Sequence, residues 1–433
     1  METHPALGSL FKFKNYFEKA DSPVQKWPDK LLYICRPTID FEKNKFLNVP
    51  LEPQIQNLFQ RPGFVDDIQH RFKRSKKKGN NVEDIYDGAI YTSFSQTGEP
   101  LSSSYPYNIS FCLNTDGIPV FKSSKVSIWP VYLMINELEY KLRRQKENML
   151  FCGLWCGESK PLFSVFSRPF LHSLKNLEEQ GVTVQVNEKK EVCKGFVLSS
   201  TADLPAKSAL MNMVQYNGKH GCPNCLQPGQ NFRTQSGGNI HVSPYDKNNP
   251  AGTLRSSEQS FNDAKEALAQ KVPVNGVKGP SFLMGLRRYK FILGTSIDYM
   301  HCVLLGITKC LLSLWFSSRN SGKHFSLLPH LDLIDWCLLK IKPPYLVTRV
   351  PRAIGSNFKF WKASQLRSWL LFYSLPLLFE LMDSIQFCHY AAFVESIHIL
   401  TKDSIAPGDI ERSNTLLKYF VFMMPSIYRD VCA

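Results

Sequence analysis

Short apolar runs separated by turns begin at about residue 108 of the chain and predict β-strands, because strands are short and end at turn residues. A longer stretch between the third and fourth runs has Phe and Leu at helical spacing, which predicts an amphipathic helix. The predicted strands are 108–113, 126–135, 149–156 and 191–199, and the helix covers 162–181. A second helix is predicted from residue 206, just after Pro205.

The same pattern divides the chain into four segments. Residues 1–107 form a basic region with a Ser/Pro-rich linker, and 108–225 form an α/β core. Residues 226–290 are rich in Gly, Pro and Ser and predict loops. Residues 291–433 predict a mostly helical region with Leu-rich segments at 291–316, 327–341, 364–383 and 388–401.

The charge of the chain indicates its class of partner. A net charge of +15 and a pI near 9.2 favour an anionic partner, nucleic acid first and a membrane surface second. No apolar run reaches the roughly 20 residues of a membrane span, and the N-terminus lacks the apolar core of a secretory signal. The cysteines are therefore expected to be reduced, so a close pair predicts a metal site rather than a disulfide.

A dense basic run lies at residues 71–78 and has two interpretations. It is a solvated basic loop, or it is a nuclear-import signal or a phosphate-contacting patch. The second interpretation predicts a nuclear protein that contacts DNA through Arg71, Lys73, Arg74, Lys76, Lys77 and Lys78.

Two aspartates end predicted strands and are candidate catalytic residues. Asp116 closes the first strand before Gly117, which is also typical of a simple turn. Asp203 follows the fourth strand, which equally suits a helix N-cap. Taken together they suggest phosphodiester chemistry, since two-ion cleavage needs carboxylates on adjacent strands around Mg²⁺ or Mn²⁺. Three strands, a helix and a fourth strand ending in an acid resemble the order of an RNase H-like nuclease core.

Candidate metal-binding residues also occur further along the chain, although a CxxC pair can also arise by chance. Cys222 and Cys225 form a CPxC knuckle, the spacing at which two thiolates hold a structural Zn²⁺. His241, His301 and Cys302 are candidates for the remaining ligands. Asp298, His301 and Cys302 share one helix face, which fits either a site or a helix start with a core-facing histidine.

The motifs, taken in order, resemble the transposases of CACTA (En/Spm-type) elements. That family has an Asp-Gly strand, a WPV strand, a D-x-P-A segment, a CPxC knuckle and a D-x-M-H helix. The corresponding residues here are 114–117, 127–130, 203–206, 222–225 and 298–301, and segments 341–344, 348–352 and 360–364 resemble the animal branch. The resemblance covers about residues 50–430.

The resemblance implies a partial RNase H-like DDE core with a zinc knuckle and a helical insertion. Asp116 and Asp203 match the first two catalytic acids, while the third is expected on a helix beyond the insertion. Glu395 and Glu411 lack its flanking pattern, and the chain ends within the apparent insertion. We therefore expect a domesticated or decaying transposase that binds DNA without strand transfer, with homo-oligomerisation left open and no membrane contact. The alternatives are an active nuclease using Asp116, Asp203 and Asp298, and a zinc-dependent adaptor.

Overall fold

The strands of the molecule form one large mixed sheet and two hairpins. The computed structural model describes residues 44–428 except 78, 121–124, 234–236, 251, 346 and 348, and except the side chains of 164, 356 and 357. The strands of the large sheet are β1 Asn44–Asn48, β2 Ile109–Thr115, β3 Ile118–Pro119, β4 Ser127–Ile135, β5 Met149–Gly157, β8 Gly195–Thr201 and β11 Thr295–Ser296. The hairpins pair β6 Val182–Val186 with β7 Lys189–Cys193, and β9 Gln230–Arg233 with β10 Asn239–Val242.

The helices are short around the sheet and longer towards the C-terminus. Those up to residue 270 are α1 Leu51–Gln60, α2 Phe64–Ile68, α3 His70–Lys73, α4 Ala89–Ser95, α5 Tyr140–Arg143, α6 Phe163–Phe166, α7 Arg168–Glu179, α8 Leu204–Leu210 and α9 Ser257–Gln270. The later ones are α10 Lys309–Phe316, α11 Leu331–Lys340, α12 Ile354–Asn357, α13 Ala363–Ser368, α14 Ser374–Leu378, α15 Ser384–Leu400 and α16 Pro407–Ile427. Two π-helical segments, Met300–Thr308 and Trp369–Tyr373, precede α10 and α14.

The large sheet has the order β1-β5-β4-β2-β8-β11, with β3 added beside β4. The strands from β1 to β2 pair antiparallel, whereas β2, β8 and β11 run parallel to one another. Parallel neighbours need a crossover, and α6 and α7 lie in the one that joins β5 to β8. The fold is therefore mixed α/β with a central mixed sheet and a helical C-terminal region, as the apolar pattern predicts.

Separate apolar cores hold the sheet and the C-terminal helices together. The first lies on the face of the sheet to which Ile109 and Phe111 of β2 point, and Phe170, Leu174 and Leu177 of α7 are buried in it. The second spans residues 304–428 and centres on fully buried aromatics such as Trp315 and Trp369. In the described part of the chain, no helix is both long and apolar enough to cross a bilayer.

Several sequence predictions differ from the structure. Residues 44–107, predicted as a basic region with a linker, instead contribute β1 and the helices α1 to α4, and Ile55 and Phe64 are buried in the first core. The predicted strand 191–199 is in fact two strands, because the chain breaks at Lys194, whose backbone N–H donates to Asn108 Oδ1. Gly195 opens β8 where a Cβ atom would lie 2.7 Å from side-chain atoms of Phe111 and Leu177, so the helix and sheet approach closely there. The loop-rich stretch 226–290 contains α9, which Ser256 caps through its hydroxyl.

Candidate functional site: three strand-end aspartates beside a cysteine pair

Three aspartates extend from equivalent positions on three adjacent parallel strands. The register pairs Asn114 of β2 with Thr201 of β8, and Thr201 with Ser296 of β11. Asp116, Asp203 and Asp298 each follow these positions by two residues. Because the C-terminal ends of parallel strands meet at one edge of a sheet, the topology brings all three acids to that edge.

Asp116 is half-buried and faces another carboxylate. Burial and the negative charge of Asp203 raise its pKa, with a smaller contribution from Asp298. Its Oδ1 accepts the backbone N–H of Gly117 at 2.7 Å, which fixes the side chain in an Asp-Gly turn. Gly117 is required there, since a Cβ atom would lie 2.5 Å from the indole ring of Trp129. The turn interpretation and the paired-acid interpretation therefore both describe this residue.

Asp203 combines a structural role with its position at the sheet edge. It is the N-cap of α8, and its Oδ1 accepts the N–H of Ala206 at 2.7 Å. The cap orients the carboxylate on the strand end, where its charge acts on Asp116 and on His301. A residue that served only as a helix N-cap would not need a second carboxylate, here that of Asp116, close to it.

Asp298 is engaged by its own helix start. Its Oδ1 accepts the N–H groups of Met300 and His301 at 2.8 and 3.2 Å, and its Oδ2 lies 2.5 Å from His301 Nδ1. Burial lowers the pKa of His301, but the hydrogen bond and charge of Asp298 outweigh it, so the net pKa is raised. The imidazolium form of His301 would place a positive charge near Asp116 and Asp203. Both oxygens of Asp298 thus already have partners.

Lys207 is a buried cation at this edge that the sequence pattern did not single out. It lies one helical turn after Asp203, and its Nζ donates to the carbonyl oxygens of Thr295 and Ser296 at 3.0 and 3.4 Å. These carbonyls belong to β11, which ends two residues before Asp298, so the lysine ties α8 to that strand. Burial lowers its pKa. Its spacing of four residues from Asp203 is the only sequence signal that could have indicated it.

Cys222 and Cys225 lie together on the same side of the molecule as the acids. The backbone N–H of Asn224 points at Cys222 Sγ at 3.4 Å, and burial together with the Cys222 thiol raises the pKa of Cys225. Arg255, missed by the sequence analysis, donates to the carbonyl oxygens of Cys222 and His220, both at 2.9 Å. A cleft of about 420 Å³ is lined by the thiol-bearing loop and by the acids Asp203 and Asp298.

The other proposed zinc ligands have different surroundings. His301 contacts Asp298 rather than the cysteine pair, and both ring nitrogens of His241 lie near Asn231 Oδ1 and Pro228 O. Within the described ranges, no three His, Cys, Asp or Glu side chains form a group that could hold one metal ion. The ligand set of a zinc site at Cys222 and Cys225 stays a prediction.

A comparison with protein-family models matches the part of the chain that carries two of the three aspartates at this edge. Residues 80–278 match the model of transposase family tnp2. The similarity covers less than half of the chain, and the matched residues include Asp116, Asp203 and the cysteine pair. No curated protein matches the chain.

The basic run 71–78 lies just before the tnp2 match, and the structure corrects its interpretation. Arg71 is buried, donates to Asn108 O at 2.8 Å and lies 3.4 Å from the carboxylate of Glu137. Arg74 and Lys76 are both paired with Asp87. A guanidinium buried in an ion pair cannot reach a phosphate, so the assignment of Arg71 to DNA contact is wrong, and Arg74 is engaged internally.

The remaining members of the run are lysines. Lys73 and Lys77 are exposed, with Lys73 3.4 Å from the equally exposed Asp66. Lys78 lies outside the described residues. The run is therefore partly an internal ion-pair network beside the tnp2 region, and only its lysine side chains remain candidates for DNA contact.

The late glutamates lie within the helical region beyond the tnp2 match. Glu395 of α15 forms an ion pair with Arg412 of α16, and Glu411 is exposed on α16. The charged groups that shift the pKa of Asp116 are instead Asp203, His301 and Asp298. The described residues thus place two aspartates, rather than a glutamate, beside Asp116.

Proposed function

We propose that this chain is a transposase-derived DNA-binding protein that holds one divalent cation at Asp116 and Asp203 and does not itself transfer DNA strands. The observation that supports the proposal is the register of β2 and β8, which brings both acids to one sheet edge, where the charge of Asp203 raises the pKa of Asp116. The match of residues 80–278 to transposase family tnp2 supports DNA as the partner, and the net charge of +15 is consistent with it.

An RNase H-like core is the fold that best accommodates this arrangement. Strands β4 and β5 extend one side of β2 as antiparallel neighbours, a helical crossover follows, and β8 returns parallel to β2 on the other side. The acids then follow the central strand and its parallel neighbour. The C-terminal helices beyond β11 correspond in this proposal to an insertion in the core.

Mg²⁺ or Mn²⁺ fits the donor set at the edge. Two neighbouring carboxylates repel each other. The pKa of Asp116 is raised first by burial and second by the negative charge of Asp203. Mg²⁺ is commonly bound through one or two carboxylates, with waters and substrate phosphates completing its shell. Asp116 and Asp203 would hold the ion, and it would supply charge stabilisation at a DNA phosphate when bound.

Strand transfer is not expected, because the third carboxylate at the edge has other partners. Both oxygens of Asp298 are hydrogen-bonded to the Met300–His301 segment. Two-ion cleavage positions the attacking and leaving oxygens with ions about 3.5–4 Å apart, which needs more ligands than two aspartates supply. The Cys222–Cys225 pair is proposed to bind Zn²⁺ structurally, with further ligands still to be found, and the protein is proposed to act in the nucleus.

Calorimetric titration of Mn²⁺ into the purified chain tests the cation site. Wild-type protein should bind about one Mn²⁺, and Asp116→Asn and Asp203→Asn should each weaken binding by at least tenfold, since each removes a charged ligand. Asp332→Asn, an exposed acid on α11, is the matched control and should bind like wild type. Equal Mn²⁺ binding by all four proteins would remove the cation site from the proposal.

The active-nuclease alternative has one observation in its favour, the register of Asp298 with the other two acids. A strand-nicking assay with Mn²⁺ on supercoiled DNA separates it from the main proposal. No nicking above background is expected from wild type. Nicking that disappears in Asp116→Asn and in Asp298→Asn would establish the alternative and overturn the inactive assignment.

A further inference from the structure

A narrow cleft in the C-terminal helical region collects hydrogen-bond donors that have no acceptor. It lies between the segment that carries Arg349 and Arg352, the helix α13 and the π-helical segment Trp369–Tyr373. The indole rings of Trp361 and Trp369 meet edge to face in its wall, with centroids 6.1 Å apart. Two sequence segments without an assigned role, 348–352 and 360–364, thus come together here.

The donors at the base of the cleft are buried and unpaired. Trp361 and Gln365 are 5% and 7% exposed, and Trp361 Nε1 and Gln365 Nε2 have no hydrogen-bond partner among the described residues. Trp369 Nε1 and Tyr373 OH also lack one at bonding geometry, although the hydroxyls of Tyr390 and Ser368 lie nearby. Burying such groups without a partner costs free energy, so native structures usually supply one.

The orientation of Gln365 shows which kind of group is missing. Its Oε1 accepts the backbone N–H of Lys362 at 3.0 Å in a capping arrangement, so its NH₂ group is the end left for the cleft. An indole N–H can only donate. At the mouth, Arg349 and Arg352 are exposed and have no ion-pair partner in the described part of the chain. The unpaired N–H groups of Trp361 and Gln365, together with the positive charges of the two arginines, indicate that the missing partner is an anionic hydrogen-bond acceptor.

The size of the cleft restricts what enters it. The space open to the centre of a water-sized sphere is only about 10 Å³, which admits a single oxygen atom. A tetrahedral oxyanion can insert one oxygen towards Trp361 and Gln365 while its other oxygens stay at the mouth. Arginine suits that position, because its planar fork bonds phosphate oxygens in pairs.

We propose that this cleft binds a phosphate group, with one oxygen at Trp361 Nε1 and Gln365 Nε2 and the others between Arg349 and Arg352. The phosphate belongs either to a DNA backbone or to a free phosphate ion. The DNA source rests on the proposed function, whereas free phosphate does not. The two are therefore measured separately.

The free-ion arm compares unfolding temperatures in sodium phosphate and in sodium chloride at equal ionic strength. Phosphate should stabilise the wild-type chain, since a ligand that binds only the folded state raises its stability. Arg349→Gln/Arg352→Gln should weaken phosphate binding about tenfold or more. Gln365→Glu keeps an oxygen for Lys362 but places negative charge in the cleft, and it should abolish the effect. Arg319→Gln/Lys418→Gln, which removes two exposed cations elsewhere in the helical region, should behave like wild type.

The DNA arm measures duplex binding by fluorescence anisotropy across a salt series. If the cleft holds a backbone phosphate, the arginine double variant should flatten the log–log salt slope by up to about 1.8 beyond the Arg319→Gln/Lys418→Gln control, at about 0.9 per contact. An unchanged slope with a lost phosphate effect assigns the site to free phosphate. If neither Arg349→Gln/Arg352→Gln nor Gln365→Glu changes phosphate stabilisation or the DNA slope, water satisfies the donors and the proposal is overturned. Absence of DNA binding by every protein, with phosphate stabilisation intact, would count against the proposed function alone.

Discussion

Asp116 and Asp203 occupy equivalent positions on neighbouring parallel strands, each two residues beyond the registered pair Asn114–Thr201. The first is held by the N–H of Gly117 and the second by the N–H of Ala206, both at 2.7 Å. Each carboxylate is thus oriented by its own backbone rather than by the other. The charge repulsion between them is a cost that the fold tolerates, which is the pattern expected of a site that receives a cation.

Asp116→Asn should stabilise the metal-free protein at neutral pH. The pKa of Asp116 is raised above its ordinary value of 3.8, so the folded state holds this proton more tightly than the unfolded state does. Stability is then lost as pH rises from about that value through the raised pKa, and asparagine removes the loss. In urea unfolding between pH 3.5 and 7, the free energy of unfolding of the variant should increase relative to that of wild type as the pH rises. Added Mn²⁺ should reverse the order, because only wild type keeps the full cation site; a pH-independent difference would contradict this account.

Gly117→Ala should disturb the edge although it changes no charged group. The added Cβ atom would lie 2.5 Å from Trp129, a buried ring of the sheet core, so the Asp-Gly turn or the ring must move. Overpacking of this kind costs about 1–3 kcal/mol, and Mn²⁺ affinity should fall with it. Gly79→Ala is the matched control, since a Cβ atom added there would have no neighbouring atom within 4 Å. Equal stability and Mn²⁺ affinity in the two variants would show that the turn adapts freely.

Strands β2, β4, β5 and β8 were predictable from sequence because they are short apolar runs that end at turn residues, whereas β1, β3 and β11 were not predicted. The register was not predictable, since a pattern of apolar runs does not say that Thr201 pairs with both Asn114 and Ser296. That register is what adds Asp298 to the other two acids. Its partner His301 was visible as a helical neighbour, but the direction of its contact, towards Asp298 and away from the cysteines, depends on tertiary packing.

The burial of Arg71 in the basic run could not be predicted from sequence. A dense sequence of Arg and Lys has the same composition whether its side chains face solvent or the interior. Arg71 is drawn inward by Glu137, which lies 66 positions later and also accepts from Ser110 and Tyr91. Nothing local to residues 71–78 marks that partner, so burial could not be inferred.

Zinc should bind at Cys222 and Cys225 with an affinity that rises with pH. Zinc binds thiolates, and burial raises the pKa of Cys225, so binding must displace a proton. Metal analysis of protein expressed with ample zinc should find Zn²⁺ in wild type and a loss in Cys222→Ser/Cys225→Ser. Cys310→Ser/Cys388→Ser removes two exposed thiols and should retain the metal. Wild-type protein without zinc would exclude the knuckle as a metal site under these conditions.

Replacing Arg71 should destabilise the fold, whereas replacing the exposed lysines of the same run should affect DNA binding and leave stability nearly unchanged. Arg71→Gln leaves the buried carboxylate of Glu137 without its cation and removes donors from Asn108 O and Pro106 O. Breaking a buried pair in this way costs about 3–5 kcal/mol, so urea unfolding should show a large loss of stability.

Lys73→Gln/Lys77→Gln is the matched comparison, because both side chains are exposed and the Lys73–Asp66 pair lies in solvent. Exposed pairs contribute little, so the free energy of unfolding should stay within about 0.5 kcal/mol of wild type. If these lysines contact phosphates, the log–log salt slope of DNA binding should flatten by up to about 1.8, at about 0.9 for each contact. Anisotropy titrations in a salt series measure this directly. If Arg71→Gln is as stable as wild type and flattens the salt slope, Arg71 contacts DNA after all. If the lysine variant leaves the slope unchanged, the DNA contacts lie elsewhere on the chain.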